Sequence, residues 1–115
     1  MDPMNEVFES VARYFALLSE PTRLRIMHSI CAEEKSVNQI VEEIGASQTN
    51  VSRHLGLMYQ AGVLGRRKEG NQVLYRVTDA AFTEICRTVC VRVASELDGD
   101  KSLKKSFKNL IDGLA

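Results

Sequence analysis

The chain has 115 residues, with 15 basic and 15 acidic side chains, zero formal net charge and an apolar share of 44%. That length fits one domain, which buries limited surface alone and would gain from dimerisation. No apolar run reaches the ~18 residues of a membrane span, and the start MDPMNEVFES lacks the basic and apolar segments of a secretory signal. The expectation is a cytoplasmic protein with no membrane partner, and the neutral balance argues against a generic polyanion binder.

In residues 5–18, Val7, Phe8, Val11, Tyr14, Phe15 and Leu18 fall on one stripe and predict a first helix. Pro21 suits the first turn of a second helix, about 21–33, burying Leu24, Ile26, Met27 and Ile30. Ser36-Val37-Asn38-Gln39 has the form of a capping box and opens a third helix that buries Val37, Ile40, Val41 and Ile44. Gly45 closes it, and Gly45-Ala46-Ser47 links it tightly to a fourth helix capped by Ser47. Val51, Leu55, Met58 and Gly62 then face inward, and Thr49, Arg53, Gly56 and Gln60 outward. A short helix, a glycine turn and a polar-faced helix make a helix-turn-helix.

Beyond Gly62 the period changes. Val73, Tyr75 and Val77 alternate with Leu74 and Arg76 as in a strand, and Glu69-Gly70-Asn71 supplies the turn of a hairpin. Thr78 or Asp79 caps a fifth helix to about Leu97, with a stripe of Phe82, Ile85, Cys86, Val89, Cys90, Val93 and Leu97. Gly99 and Asp100 break it, so a domain over 1–98 is followed by a tail over 99–115. In that tail Leu103, Phe107, Leu110, Ile111 and Leu114 have the spacing of a short sixth helix. The fold class is mainly α with a small β-hairpin, a winged helix-turn-helix.

Charge is unevenly placed along the chain. Residues 1–46 hold 4 basic and 8 acidic side chains, whereas residues 47–76 hold 5 basic and one acidic. A positive field concentrated on a helix and hairpin is the electrostatic footprint of a nucleic-acid site, although a solvated basic wing would look the same. Ser47, Gln48, Thr49, Asn50 and Ser52 lie on or before the first turns of the fourth helix, where base edges or phosphates come within reach. Arg53 is the leading candidate for base or phosphate contact. His54 lies off the outward face, as a structural or phosphate hydrogen bonder. Arg66, Arg67 and Lys68 stand near the hairpin tip as wing contacts to phosphate or minor groove.

At EPTRLRIM, SQTNVSRHL and AGVLGRRKEGNQVLYRV the chain resembles the ArsR/SmtB family of small bacterial repressors, over residues 13–90 or so. The resemblance implies a homodimer held by its first and last helices, a double-stranded operator of two-fold symmetry, and release by an inducer. Two recognition helices on a dimer axis would enter major grooves ~34–36 Å apart.

Family members sense metals, metalloids or sulfur species at several unrelated sites. The zinc pattern on the last helix finds only Asp79 here, with Arg92 and Ser95 at its later positions. The Cys-Val-Cys pattern of the third helix reads Ser36-Val37-Asn38. The remaining thiols are Cys31, Cys86 and Cys90. Cys86 and Cys90 are spaced i, i+4, with Cβ atoms ~5–6 Å apart. Relatives that join a second-helix thiol to a last-helix thiol carry them where this chain has His28 and about Ala94, so that pattern is shifted at both ends. Three readings stand. The thiols form a site for As(III) or another thiophilic metal ion as inducer; two of them form a disulfide or polysulfide bridge under oxidant or reactive sulfur; or they are core residues, as cysteines often are, in a repressor without a cysteine-based inducer. No nucleophile pair, phosphate loop or carboxylate dyad points to an enzyme. A winged helix that binds protein instead of DNA is disfavoured by the basic tip and the Thr49/Arg53 face.

Overall fold

In a computed structural model, which describes residues 2–96 and 101–114, the described residues form six helices and a three-stranded antiparallel sheet. The order is α1 (Pro3–Leu17), α2 (Pro21–Ile30), β1 (Lys35–Ser36), α3 (Val37–Ile44), α4 (Gln48–Gln60), β2 (Leu64–Glu69), β3 (Gln72–Val77), α5 (Ala80–Glu96) and α6 (Lys101–Leu114). Among the described residues, no helix is long and apolar enough to cross a membrane.

Local chemistry sets the helix ends. Asp2 accepts the Met4 N–H at the start of α1, and Glu20 accepts the Arg23 N–H ahead of Pro21 in α2. Ser36 and Gln39 satisfy each other's backbone N–H groups in the expected capping box. Gly45 ends α3 in the left-handed region at φ 72°, where other residues are strained, and its N–H donates to the Val41 carbonyl. That turn aims α4 away from α3.

The core is built from α2, α3, α4, the sheet and the first turns of α5. Ile26, Met27, Ile30, Ile40, Val51, Leu55, Met58, Val63 and Phe82 are almost fully buried. Each such side chain contributes roughly 1.5–3 kcal/mol of burial free energy, so α4 is fixed by its inner face and free to display the outer one.

Several expectations are corrected. Helix α2 stops at Ile30 with Cys31 as its cap, short of residue 33, because the chain must turn into β1. Leu24 is exposed, on the side of α2 away from the core. Gly62 is not an inward helix residue: α4 ends at Gln60, Gly62 turns at φ 86°, and Val63 takes the buried place. The wing has a third strand that was not foreseen, with Lys35 opposite Tyr75 and Ser36 opposite Leu74. With β1 alongside, Leu74 is buried together with Tyr75, whereas Val73 near the tip is exposed. The α5 stripe divides: Phe82 and Cys86 enter the core, and Val89 and Val93 face outward. Leu97, Gly99, Asp100 and the boundary at 98/99 lie outside the described residues, as do the side chains of Leu103, Phe107 and Leu114. In α6, Leu110 and Ile111 are half-buried.

Helix α1 has one buried residue, Leu17. Met4, Val7, Phe8, Val11 and Phe15 stand 46% to 65% exposed along it. Its attachment is specific nonetheless. Tyr14 Oη donates to Asp79 Oδ2 at 2.9 Å, and Asp79 Oδ1 accepts the Ala81 N–H at 3.0 Å, so one carboxylate both caps α5 and pins α1. Burial, then Asp79, pushes the Tyr14 phenol up to about 12.

Candidate nucleic-acid interface

The first turns of α4 project outward. Ser47 Oγ accepts the Asn50 N–H at 3.1 Å and closes the helix start. Gln48, Thr49, Ser52 and Arg53 are exposed, and Asn50 is half-buried. Arg53 Nη2 donates to Asn50 Oδ1 at 2.8 Å, which lays the guanidinium along the outer face and leaves its other N–H groups open. Leu57, exposed one turn on, stands at the edge of this face on the side towards α1.

The wing carries its cations unequally. Arg66 lies over the Tyr59 ring at 3.9 Å and stands opposite Tyr75 in the β-ladder, so stacking presets its position. Arg67 is clasped by carboxylates: its Nε donates to both Glu34 oxygens at 2.9 and 3.0 Å, and its Nη2 to Glu69 at 3.0 Å. Arg67 in turn holds the Glu34 carboxyl below its usual range. The charge expected to reach phosphate at residue 67 is thus neutralised within the wing, and Lys68 remains exposed. The sequence reading missed both Tyr59 under Arg66 and Glu34 beside Arg67, since each pairing is made across the fold.

His54 does not belong to this surface. It is 5% exposed, with Nδ1 3.3 Å from Arg23 Nη1 and Nε2 3.6 Å from Glu20 Oε2. The same Arg23 donates to the Leu17 and Ala16 carbonyls at the end of α1, at 3.0 and 2.9 Å. His54 is therefore a tie between α4 and the α1–α2 corner. Burial lowers its pKa below the ordinary 6.5, with Arg53 and Arg23 acting in the same direction against Glu20. The unfolded chain then takes up the proton first. This stability is present above about pH 6.5 and declines as pH falls through that value towards the folded pKa. Urea unfolding between pH 7 and 5 should show this decline, and His54→Gln should flatten it. An unchanged slope in the variant would assign the effect elsewhere. The carboxylates of Glu20, Glu34 and Glu43, whose pKa values are all lowered from 4.5, act in a separate, more acidic window.

The thiols are not gathered within one chain. Cys31 Sγ donates to the His28 carbonyl at 3.2 Å and to the Gly113 carbonyl of α6 at 2.9 Å. Cys86 is 4% exposed in the core, and Cys90 packs partly against it one turn on. Burial raises all three pKa values, Cys86 to about 11. Among the described residues no three His, Cys, Asp or Glu side chains come together in a way that could hold a metal ion. The expected three-thiolate constellation of Cys31, Cys86 and Cys90 is thus absent from the single chain, because Cys31 is turned to α6 and the other two to the α5 core face.

Comparison with known proteins agrees with this architecture. Residues 20–64 match the family described as bacterial regulatory protein, arsR family. A protein of Streptomyces lividans named as a probable mercury resistance operon repressor is 32% identical over 93 residues, covering 78% of this chain and 74% of that one. The crystal structure of the transcriptional repressor BigR from Xylella fastidiosa is similar at TM-score 0.69 and 27% identity, over 76% of this chain and 90% of that one. A homodimeric winged helix-turn-helix DNA-binding domain from Mycobacterium bovis shares the fold at TM-score 0.75 and 24% identity, over 88% and 94%. From the capped recognition helix to the stacked wing and these likenesses, the chain belongs to the ArsR/SmtB family of winged-helix transcriptional repressors.

Proposed function

We propose that the chain works as a homodimer that binds a two-fold symmetric operator and is released by a thiophilic ion bound at Cys86 and Cys90. The observation that carries the DNA half is the outer face of α4, with Gln48, Thr49, Ser52 and Arg53 exposed on an element whose inner face is locked in the core. Arg66 and Lys68 supply the wing contacts, and Ser47 and Asn50 order the helix start. The dimer forms through the exposed apolar faces of α1 and α5.

The sensor reading rests on the i, i+4 thiols of an unbroken α5. Their Cβ separation of ~5–6 Å exceeds the ~3.5–4.5 Å of a disulfide, so a bridging ion suits the pair better than a direct S–S bond. Two sulfurs on one helix face form a soft donor set. Binding of Hg(II) replaces two S–H bonds by two S–Hg bonds and releases two protons to water, whereas arsenite, As(OH)3, forms two S–As bonds and releases two waters. Because burial keeps both thiols protonated, apparent affinity for Hg(II) should climb with pH. The mercury-resistance name of the Streptomyces relative points the same way.

The test is operator binding with and without Hg(II) or arsenite. Wild type should bind a fragment of its own promoter, more weakly as salt rises, and release it when the ion is added. Cys86→Ser and Cys90→Ser should keep operator binding and lose the release. Equal release from both variants and wild type would remove this pair as the sensor.

A further inference from the structure

We propose that the cleft between α1 and the α2–α4 body binds a small organic carboxylate with an apolar body. The cleft has a volume of about 550 Å³, inside the range of roughly 300–1,000 Å³ typical of small-molecule sites. Tyr14, Leu17, Leu57 and Ala61 give it mainly apolar walls; Arg13 and Arg23 supply two cations, and among the described residues no acidic side chain lines it. Among the described residues Arg13 makes one side-chain hydrogen bond, to Ser10 Oγ at 3.1 Å. Arg23 is bonded to backbone carbonyls and faces His54. Among the described residues neither guanidinium is ion-paired with a carboxylate. Arg13 therefore has N–H donors to offer an anion at the rim. A single negative charge with a hydrocarbon body matches that balance, whereas a polyanion would leave charge against the apolar wall.

The cleft does not compete with the proposed dimer surface. At 100° per residue, Val7, Phe8, Val11 and Phe15 centre on one side of α1, Leu17 and Arg13 lie about a third to a half of a turn round the helix from them, and Tyr14 stands at the border beside Val7. The cleft reaches from the last turns of α1 to the last turn of α4, through Leu57 and Ala61. Arg23 spans the same two elements, holding the α1 carbonyls and facing His54. A ligand wedged there favours a different setting of α4 against α1, and so a different spacing of paired recognition helices. This consequence, though not the binding itself, rests on the repressor reading above.

Calorimetric titration of the intact protein with dodecanoate, dodecanol and dodecyltrimethylammonium tests the site. The expected result is saturable binding of one dodecanoate per chain, about tenfold weaker binding of dodecanol, and none of the cation. Arg13→Glu, at an exposed position, should lower dodecanoate affinity at least tenfold, and Ala61→Trp should abolish binding by filling the cleft; circular dichroism checks that both fold. Equal binding of dodecanoate and dodecanol, unchanged affinity in Arg13→Glu, or no binding to wild type would overturn the proposal. Dodecanoate should also weaken operator binding by wild type and not by Ala61→Trp. Saturable binding without change in operator affinity would uphold the site and overturn its link to α4. Failure to bind any promoter fragment would strike the repressor reading and leave the calorimetry standing.

Discussion

Replacing Phe8 and Phe15 together by aspartate is expected to leave the chain monomeric and to lower its affinity for a symmetric operator by about 10²-fold or more. The reason lies in how little of α1 the single chain buries. Leu17 is its one buried residue, while the two phenylalanines stand exposed beside Met4, Val7 and Val11. A contiguous apolar patch of this kind is costly in water, and a second copy docked on it, as proposed above, would cover it. Charges placed in its middle would have to be desolvated for a second copy to dock. Once dimerisation is lost, each half-site must be bound separately, and the gain from tethering two recognition helices disappears. The core is untouched, so the variant should still fold, with an unfolding temperature lowered by the lost subunit contact and no longer dependent on protein concentration. Sedimentation gives the mass and a mobility-shift titration the affinity. A variant that still sediments as a dimer would place the subunit contact elsewhere.

Replacing Arg53 by alanine is expected to weaken operator binding by about 1–3 kcal/mol, with the dimer intact. Arg53 is exposed on the outer face of α4, one turn beyond Thr49, and Asn50 orients its guanidinium. Preorientation matters because a bidentate arginine contact to guanine depends on its planar fork. Comparing operators with single base changes separates two roles. A base contact would make the variant indifferent at one position, and a phosphate contact would weaken all operators alike and reduce the salt slope by about one. Unchanged affinity for every operator would take Arg53 out of the interface.

The local parts of this fold were legible in the sequence because their causes are local. The Ser36/Gln39 capping box, the Gly45 turn, the Ser47 cap and the inner stripe Val51–Leu55–Met58 each follow from a few neighbouring residues, and the structure has them all. What escaped was decided by distant partners. Lys35–Ser36 become a strand only because β3 lies beside them. His54 could be read as lying off the outward face, but its partners Arg23 and Glu20, from the first turn and cap of α2, could not. Arg67 resembles its neighbours in sequence, yet Glu34, 33 residues away, claims it. The thiols show the same limit: the i, i+4 spacing of Cys86 and Cys90 could be read directly, but the attachment of Cys31 to Gly113 could not. The α1 stripe, read as apolar and helical, gave no sign of whether its own chain would cover it.

The short strand at Lys35–Ser36 bears on how the protein behaves when concentrated. By pairing with Tyr75 and Leu74 it covers the middle of β3, and at two residues it is too short an edge to template a foreign strand, which leaves β2 as the long edge of the sheet. That remaining rim reads Arg66, Arg67, Lys68, Glu69, a charged sequence that repels its own likeness in another molecule and resists cross-β growth. The wing can therefore stay extended and open to solvent, ready for a duplex, without seeding insoluble aggregates.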